Sequence, residues 1–201
     1  MGDPFLAAHR IDSAIFDISS GLRPGSVRDQ IIRATLIVRR AHESTLIDPS
    51  RELVVVGAGA AGTAAALFAA RAGITTTLID SDTAFSRQLS STRMLEPTLY
   101  DWPADHWDRG EFPWHEEYAP LAYKARPARD VAKDWVSKLA RADGNLLRYL
   151  HGTRLAGQEV PQGRINQKTS SANFALNTDF DQIMAQSVTF FHRVPSYISD
   201  G

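Results

Sequence analysis

The chain has 201 residues, of which 43% are hydrophobic and 22% are charged, and its formal net charge is −1. This composition is typical of a soluble globular protein with one large domain or two small ones. The near-zero charge argues against nucleic acid or an anionic membrane as a partner, and the lack of cysteine excludes disulfides and thiolate metal sites.

The sequence predicts neither a membrane span nor a secretory signal. Its apolar runs all fall short of the ~20 residues that a membrane-spanning helix needs. Residues 1–4 carry no basic region followed by an apolar one, as a secretory signal would. We therefore expect a cytoplasmic protein.

Residues 1–50 are predicted to form an N-terminal helical extension, which precedes a Rossmann-like domain over residues 51–201. Residues 11–18 are a short apolar patch that fits one helical turn or a strand. Ser26 and Asp29 have the spacing of a capping box and open a helix that runs to about Glu43. The extension either covers the sheet or mediates assembly, and the sequence leaves both open.

The predicted helix is rich in arginine away from its apolar face, with Arg28, Arg33, Arg39 and Arg40. A basic helix suits an acidic partner, but a solvated helix face is the commoner reason for such residues. We therefore expect these four side chains to point to water.

Residues 53–80 are predicted to form a βαβ unit. A short apolar run at residues 53–56 is followed without a break by six small residues, Gly57, Ala58, Gly59, Ala60, Ala61 and Gly62. An alanine-rich stretch then leads to Gly73, to a β-rich run at residues 74–79 and to Asp80. The order of strand, glycine turn, helix, strand and acid is that of a dinucleotide-binding unit.

Each residue of this pattern has a physical role in holding a dinucleotide. Gly57 permits a sharp turn, Gly59 lets the backbone approach a pyrophosphate, and Gly62 lets the helix pack near the sheet. The phosphates would lie at the helix N-terminus, where unpaired N–H groups and the helix dipole favour an anion. Asp80, 18 residues after the last glycine, would accept hydrogen bonds from a ribose.

A polar stretch and an aromatic stretch follow the acid. Arg87 or Arg93 would neutralise phosphate, or else belongs to an ordinary surface loop. Residues 97–123 combine seven aromatic side chains with four prolines, which predicts an ordered loop. This loop either lines a ligand site or, as we favour, covers the core as a lid. Its acids and histidines, which include Asp105, His106, Asp108 and His115, lack the spacing of a metal site.

The next predicted elements extend the βαβ unit to a third parallel strand. Pro127 suits the first turn of a helix whose apolar face holds Val131, Trp135 and Leu139 and which ends at Gly144. Residues 145–155 are predicted to form the strand. Residues 173–178 are predicted to pair with residues 153–160 as a hairpin.

The glycines and the acid resemble those of the FAD-binding family of two-dinucleotide-binding-domain flavoproteins. The resemblance implies that Gly57, Gly59 and Gly62 hold the pyrophosphate of FAD and that Asp80 holds its ribose. It also implies that Ser81 and Arg87 lie along the cofactor and that main-chain atoms of residues 153–155, up to Leu155, hold the adenine. NAD(P) stays open as the alternative cofactor, since NAD-binding proteins use Asp freely at the acid position.

The resemblance implies an oxidoreductase that passes a hydride through bound flavin. The lack of cysteine excludes the disulfide-reductase branch of these flavoproteins. A second GxGxxG is not found in the sequence, so an NAD(P)-linked enzyme would need a second chain or domain for its nicotinamide site. We can assign no catalytic residue, although His106 and His115 are candidates. The alternatives are an NAD-dependent dehydrogenase and a non-catalytic dinucleotide-binding module.

Overall fold

The computed structural model describes residues 3–12, 15–17, 26–47, 50–97, 114–155, 189–191 and 198–199. Its helices are α1 (Pro4–His9), α2 (Val27–Glu43), α3 (Ala60–Arg71), α4 (Ser86–Leu89) and α5 (Ala128–Ala142). Its strands are β1 (Arg10–Asp12), β2 (Ile15–Asp17), β3 (Leu53–Val56), β4 (Thr76–Asp80), β5 (Met94–Leu95), β6 (Arg126–Pro127), β7 (Leu147–His151), β8 (Arg154–Leu155), β9 (Thr189–Phe191) and β10 (Ile198–Ser199).

A six-stranded sheet in the order β1-β2-β9-β3-β4-β7 forms the centre of the protein. β3, β4 and β7 run parallel, with Leu78 beside Val55 on one side and Tyr149 on the other. Helix α3 connects β3 to β4, and α5 lies between β4 and β7 in the chain. This half of the sheet confirms the predicted Rossmann-like α/β fold. β1, β2 and β9 continue the sheet in antiparallel fashion beyond β3.

Helix α2 begins and ends as the sequence predicts. The Ser26 side chain accepts a hydrogen bond from the Asp29 backbone N–H, and the Asp29 carboxylate accepts one from the Ser26 N–H, which completes the capping box. Ile31, Ala34 and Val38 are buried, and α2 packs against α3. β1 and β2 pair antiparallel, which is the strand alternative for the apolar patch, so the segment before residue 50 adds two strands to the sheet as well as helices.

The prediction that the arginines of α2 point to water is wrong. Arg28 is only 8% exposed, its Nη1 donates a hydrogen bond to the Pro97 carbonyl at 3.0 Å, and its guanidinium lies 5.5 Å from the ring centre of Trp114. Arg33, Arg39 and Arg40 are half-buried, and α1 also packs on α2. Because the helix has packing partners on more than its apolar face, its long basic side chains lie against protein.

His9, at the end of α1, is a buried histidine that contacts β2. The residue is 2% exposed, and its Nδ1 lies 2.9 Å from the Asp17 carbonyl. Because a carbonyl only accepts hydrogen bonds, Nδ1 must carry the proton. Nε2 is buried without a hydrogen-bond partner among the described residues. Burial lowers the pKa of His9, and the charge of Arg33 lowers it further.

The two faces of the sheet have separate clusters of apolar side chains. Leu53, Val55, Leu78 and Leu147 face α3 and join the main core, which also holds buried residues of α2 and α5. Ile15, Val54 and Ile79 form a second buried cluster. Because both faces are apolar, β3 and β4 have near-continuous hydrophobic runs, as parallel strands usually do.

The described part of the aromatic stretch packs on the main core. Trp114 and Tyr123 lie against the core with their rings edge to face at 5.3 Å, and the Trp114 Nε1–H donates to the Tyr123 carbonyl at 3.1 Å. Tyr123 also contacts Trp135 of α5, at 5.5 Å between ring centres. For these two residues the prediction of a lid on the core is confirmed, whereas Tyr118 is 41% exposed.

The third parallel strand is present but shorter than predicted. Helix α5 buries Val131, Trp135 and Leu139, as expected, and Pro127 is its N-cap. β7 ends at His151, because Gly152 has a φ of 67° and turns the chain before β8. The predicted hairpin at residues 173–178 lies outside the described residues. Among those described, no helix is long and apolar enough to cross a membrane.

Candidate functional site

The glycine turn connects the end of β3 to the start of α3. Gly57 has a φ of 100°, a backbone conformation that side chains other than glycine rarely adopt. Its N–H donates to the Ile79 carbonyl at 2.7 Å, which ties the turn to the neighbouring strand β4. Gly57 therefore makes the sharp turn that the sequence predicts, whereas its contact with a pyrophosphate stays a prediction.

The N-terminus of α3 lacks a side-chain cap. Gly59 is the N-cap residue and makes no capping hydrogen bond, and the first turn contains no acidic side chain. The N–H groups of Ala60, Ala61 and Gly62 have no acceptor within the helix, because the first turn of any α-helix lacks one. Together with the helix dipole, these donors form a site suited to an anion such as a pyrophosphate.

Small side chains let α3 lie close to the sheet. Ala64, Ala65 and Ala66 are fully buried, and α3 packs against β3, β4 and α2. A helix with larger residues on these faces would stand further from the strands. The close packing holds the helix N-terminus at the carboxyl edge of the sheet, which is where α/β proteins bind their ligands.

Asp80, the last residue of β4, contacts the glycine turn directly. Its Oδ2 accepts a hydrogen bond from the Ala58 N–H at 2.5 Å, and its Oδ1 accepts one from the Asp82 N–H at 2.8 Å. The residue is 7% exposed, and burial raises the pKa of its carboxyl, while these two hydrogen bonds and the charge of Arg87 oppose the rise. A carboxylate therefore stands one strand away from the anion site.

The polar stretch after β4 folds back onto the glycine turn. The Phe85 N–H donates to the Ala58 carbonyl at 3.0 Å, and Phe85 itself is fully buried against Trp135. Ser81 and Arg87 are exposed next to this contact, and the charge of Arg87 acts on the Asp80 carboxyl. The structure thus brings Ser81 and Arg87 to the site. Sequence reasoning missed Phe85, which holds the turn through its backbone and so leaves no side-chain signal.

Arg93 and Leu155, two further predicted residues, lie at different places. Arg93 is exposed, and its carbonyl accepts a hydrogen bond from Ala128 N–H at the start of α5. Leu155 belongs to β8 and pairs with Ile198 of β10. Just before it, the Thr153 N–H donates to the Asp80 carbonyl at 3.0 Å. The chain around residue 153 therefore passes beside Asp80, although a contact to adenine there stays a prediction.

His115 lies away from the glycine turn. It is exposed and packs edge to face on Tyr118, next to Glu116, whose carbonyl accepts a hydrogen bond from Arg71 at 2.6 Å. Arg71 is the last residue of α3, about 17 Å along the helix from its first turn. His106 lies outside the described residues, as do Asp105 and Asp108. In the described part of the chain, no three His, Asp or Glu side chains are grouped to hold a metal ion.

Comparison with protein families gives a match to this chain. The model of the FAD dependent oxidoreductase family matches residues 52–159, just over half of the chain. The chain belongs to this family. The match begins immediately before β3 and includes the glycine turn, Asp80 and the end of β7. Comparisons with curated proteins and with solved structures give no match.

FAD is the cofactor of the family, and the geometry of the site fits it. FAD carries a pyrophosphate between two sugar-like segments, so it needs an anion site beside a hydrogen-bond acceptor. The uncapped first turn of α3 provides the first, and the Asp80 carboxylate, which touches the same turn, provides the second. NAD(P) also carries a pyrophosphate and a ribose, so this geometry suits either dinucleotide, and it is the family match that favours FAD.

Proposed function

We propose that this FAD-dependent oxidoreductase binds the pyrophosphate of FAD at the glycine turn and passes a hydride through the flavin. The observation that supports the proposal is the uncapped N-terminus of α3, which follows Gly57 with its positive φ and lies next to a buried carboxylate. Bound FAD supplies the redox chemistry, since the flavin ring accepts and donates hydride. The residues of this chain bind and orient the cofactor.

Three groups of the chain have separate roles in this proposal. The N–H groups of residues 60–62 bind the pyrophosphate, which the positive end of α3 also attracts. Asp80 accepts hydrogen bonds from the ribose of the adenosine, because each carboxylate oxygen has a second lone pair beyond its present backbone contact. Arg87, exposed beside Asp80, adds positive charge near the phosphates.

The source of the hydride belongs to the proposal as well. We propose that it comes from NAD(P)H bound by a second chain or domain, because the sequence has only one GxGxxG. Residues 52–159 would then hold FAD, and the second chain or domain would bring the nicotinamide against the flavin ring.

Flavin binding tests the proposal directly. The purified protein should show the visible absorption of bound flavin, and its apoprotein should regain that absorption when FAD is added. Gly59→Val places a side chain at the anion site and should abolish FAD binding. Gly144→Val is the matched control, because Gly144 follows α5 with open space around it, and it should bind FAD as the unmodified protein does.

The results separate the proposed function from its alternatives. A colourless protein that binds NAD but does not bind FAD would refute flavin chemistry and favour an NAD-dependent dehydrogenase. A flavin-loaded protein that neither NADH nor NADPH reduces under anaerobic conditions, alone or with cell extract, would contradict the nicotinamide linkage. Flavin that dithionite bleaches but that no biological hydride donor reduces would favour a non-catalytic binding module.

A further inference from the structure

The carboxyl edge of the parallel sheet presents three different groups on three neighbouring strands. β3 leads into the glycine turn, β4 ends in Asp80, and β7 ends in His151, which lies in register with Asp80. Adjacent strands are about 4.8 Å apart. An adenosine diphosphate has its phosphate, sugar and base in that same linear order, so a phosphate at β3 and a sugar at β4 leave the base at β7.

His151 is available to such a base. Its side chain is exposed, and it is the last residue before the turn at Gly152. Side chains alternate along a strand, so His151 shares a face with Tyr149 and Leu147, and Leu147 lies in the core that includes α3. His151 therefore stands on the same face of the sheet as Asp80 and the helix whose N-terminus forms the anion site.

The Tyr149 ring packs beside the His151 imidazole. The two ring centres are 6.1 Å apart at an interplanar angle of 48°, and the Tyr149 hydroxyl donates to the Asp82 carbonyl at 3.4 Å. Burial raises the pKa of Tyr149 to about 12, and the charge of Asp80 adds to this rise. Tyr149 is therefore a neutral, half-buried ring whose position is tied to the segment after Asp80.

We propose that His151, backed by Tyr149, is the platform on which the adenine of the cofactor stacks. This inference rests on the FAD site proposed above and adds a side-chain contact to it. It differs from the expectation that main-chain atoms of residues 153–155 hold the adenine. An aromatic platform binds a base through its π-face, so substitution of the side chain weakens binding, whereas a main-chain contact survives it.

ADP binding to the apoprotein tests this inference, because ADP contains the adenosine and the pyrophosphate without the flavin. His151→Ala should weaken ADP binding about fivefold or more in calorimetry, a size typical of a lost base–aromatic stack. Binding of inorganic pyrophosphate should not change. His151→Phe should restore ADP affinity to within about twofold, because it keeps a π-face without the ring nitrogens.

Arg148→Ala is the matched control, since Arg148 is also exposed on β7 but lies on the opposite face, in register with Thr77. It should bind ADP normally. Unchanged ADP affinity in His151→Ala would overturn the platform, as would an equal loss of ADP and pyrophosphate binding or a failure of His151→Phe to rescue. If Asp80→Ala weakens ADP binding and His151→Ala does not, the platform alone is wrong. If the unmodified apoprotein binds no ADP, the FAD site is wrong as well.

Discussion

Replacement of Ile31 by alanine tests whether α2 is an integral part of the fold. Ile31 is fully buried in the core cluster that also holds α3. The change removes three carbon atoms, which corresponds to about 2.4 kcal/mol of transfer free energy at about 0.8 kcal/mol for each. The cavity left behind adds to this, so we expect a loss of about 3 to 4 kcal/mol in the free energy of unfolding.

Thermal and urea denaturation followed by circular dichroism measure this loss. In a chain of this size, 1 kcal/mol shifts the melting temperature by about 2 to 4 °C, so Ile31→Ala should melt about 6 to 16 °C lower. The same substitution at the next position is the matched control. Ile32 is half-buried, and Ile32→Ala should cost less than about 1.5 kcal/mol.

The difference in stability between the two variants tests whether α2 packs in the core. Both remove the same atoms from the same helix, so helix propensity changes equally. If Ile31→Ala cost less than 1 kcal/mol, or no more than Ile32→Ala, α2 would not pack in the core and the contact between α2 and α3 would be wrong. Residues before position 50 would then be a separable extension.

Three further predictions concern the glycine turn, the buried histidine and the helix cap. Gly57→Ala should lower the melting temperature of the apoprotein and abolish FAD binding, because alanine is strained by about 1 to 2 kcal/mol at positive φ. Gly144→Ala is the control and should have neither effect, since no such strain exists at Gly144. Equal behaviour of the two variants would contradict the turn geometry. The pKa of His9 is lower in the folded protein than in the unfolded chain, so protonation of His9 favours unfolding. The neutral His9 ring therefore contributes stability above its ordinary pKa of about 6.5, and this stability is lost as the pH falls below that value. His9→Asn keeps an N–H donor but does not titrate, so its unfolding free energy should fall less between pH 7 and pH 5, and a fall as steep as that of the unmodified protein would rule out His9 as the cause. Ser26→Ala should cost about 1 kcal/mol in urea denaturation, and no measurable loss would show that the capping box does not stabilise α2.

Local pattern was enough to predict the βαβ unit and the helices around it. The apolar run at β3, the glycines and the acid at the end of β4 each act through neighbours in the chain, and backbone conformation depends on such neighbours. The capping box of α2 and the apolar face of α5 are local for the same reason. The roles predicted for Gly57, Gly59, Gly62 and Asp80 therefore follow from the sequence alone.

Contacts between distant parts of the chain were not predictable in this way. The burial of Arg28 depends on Pro97 and Trp114, which are far along the sequence. Helical periodicity shows only which side of a helix is apolar, and it does not show what packs against the other sides. The predicted solvent exposure of the arginines was wrong for that reason.

The sequence by itself determined the dinucleotide-binding unit, because glycine conformation, strand propensity and helix ends are properties of short segments. Only the tertiary structure decided that β9 lies between β2 and β3, that Phe85 holds the glycine turn, and that His151 stands beside Asp80. Strand order and register are set by packing and hydrogen bonds between segments dozens of residues apart, and no local pattern in the sequence encodes which of these segments meet.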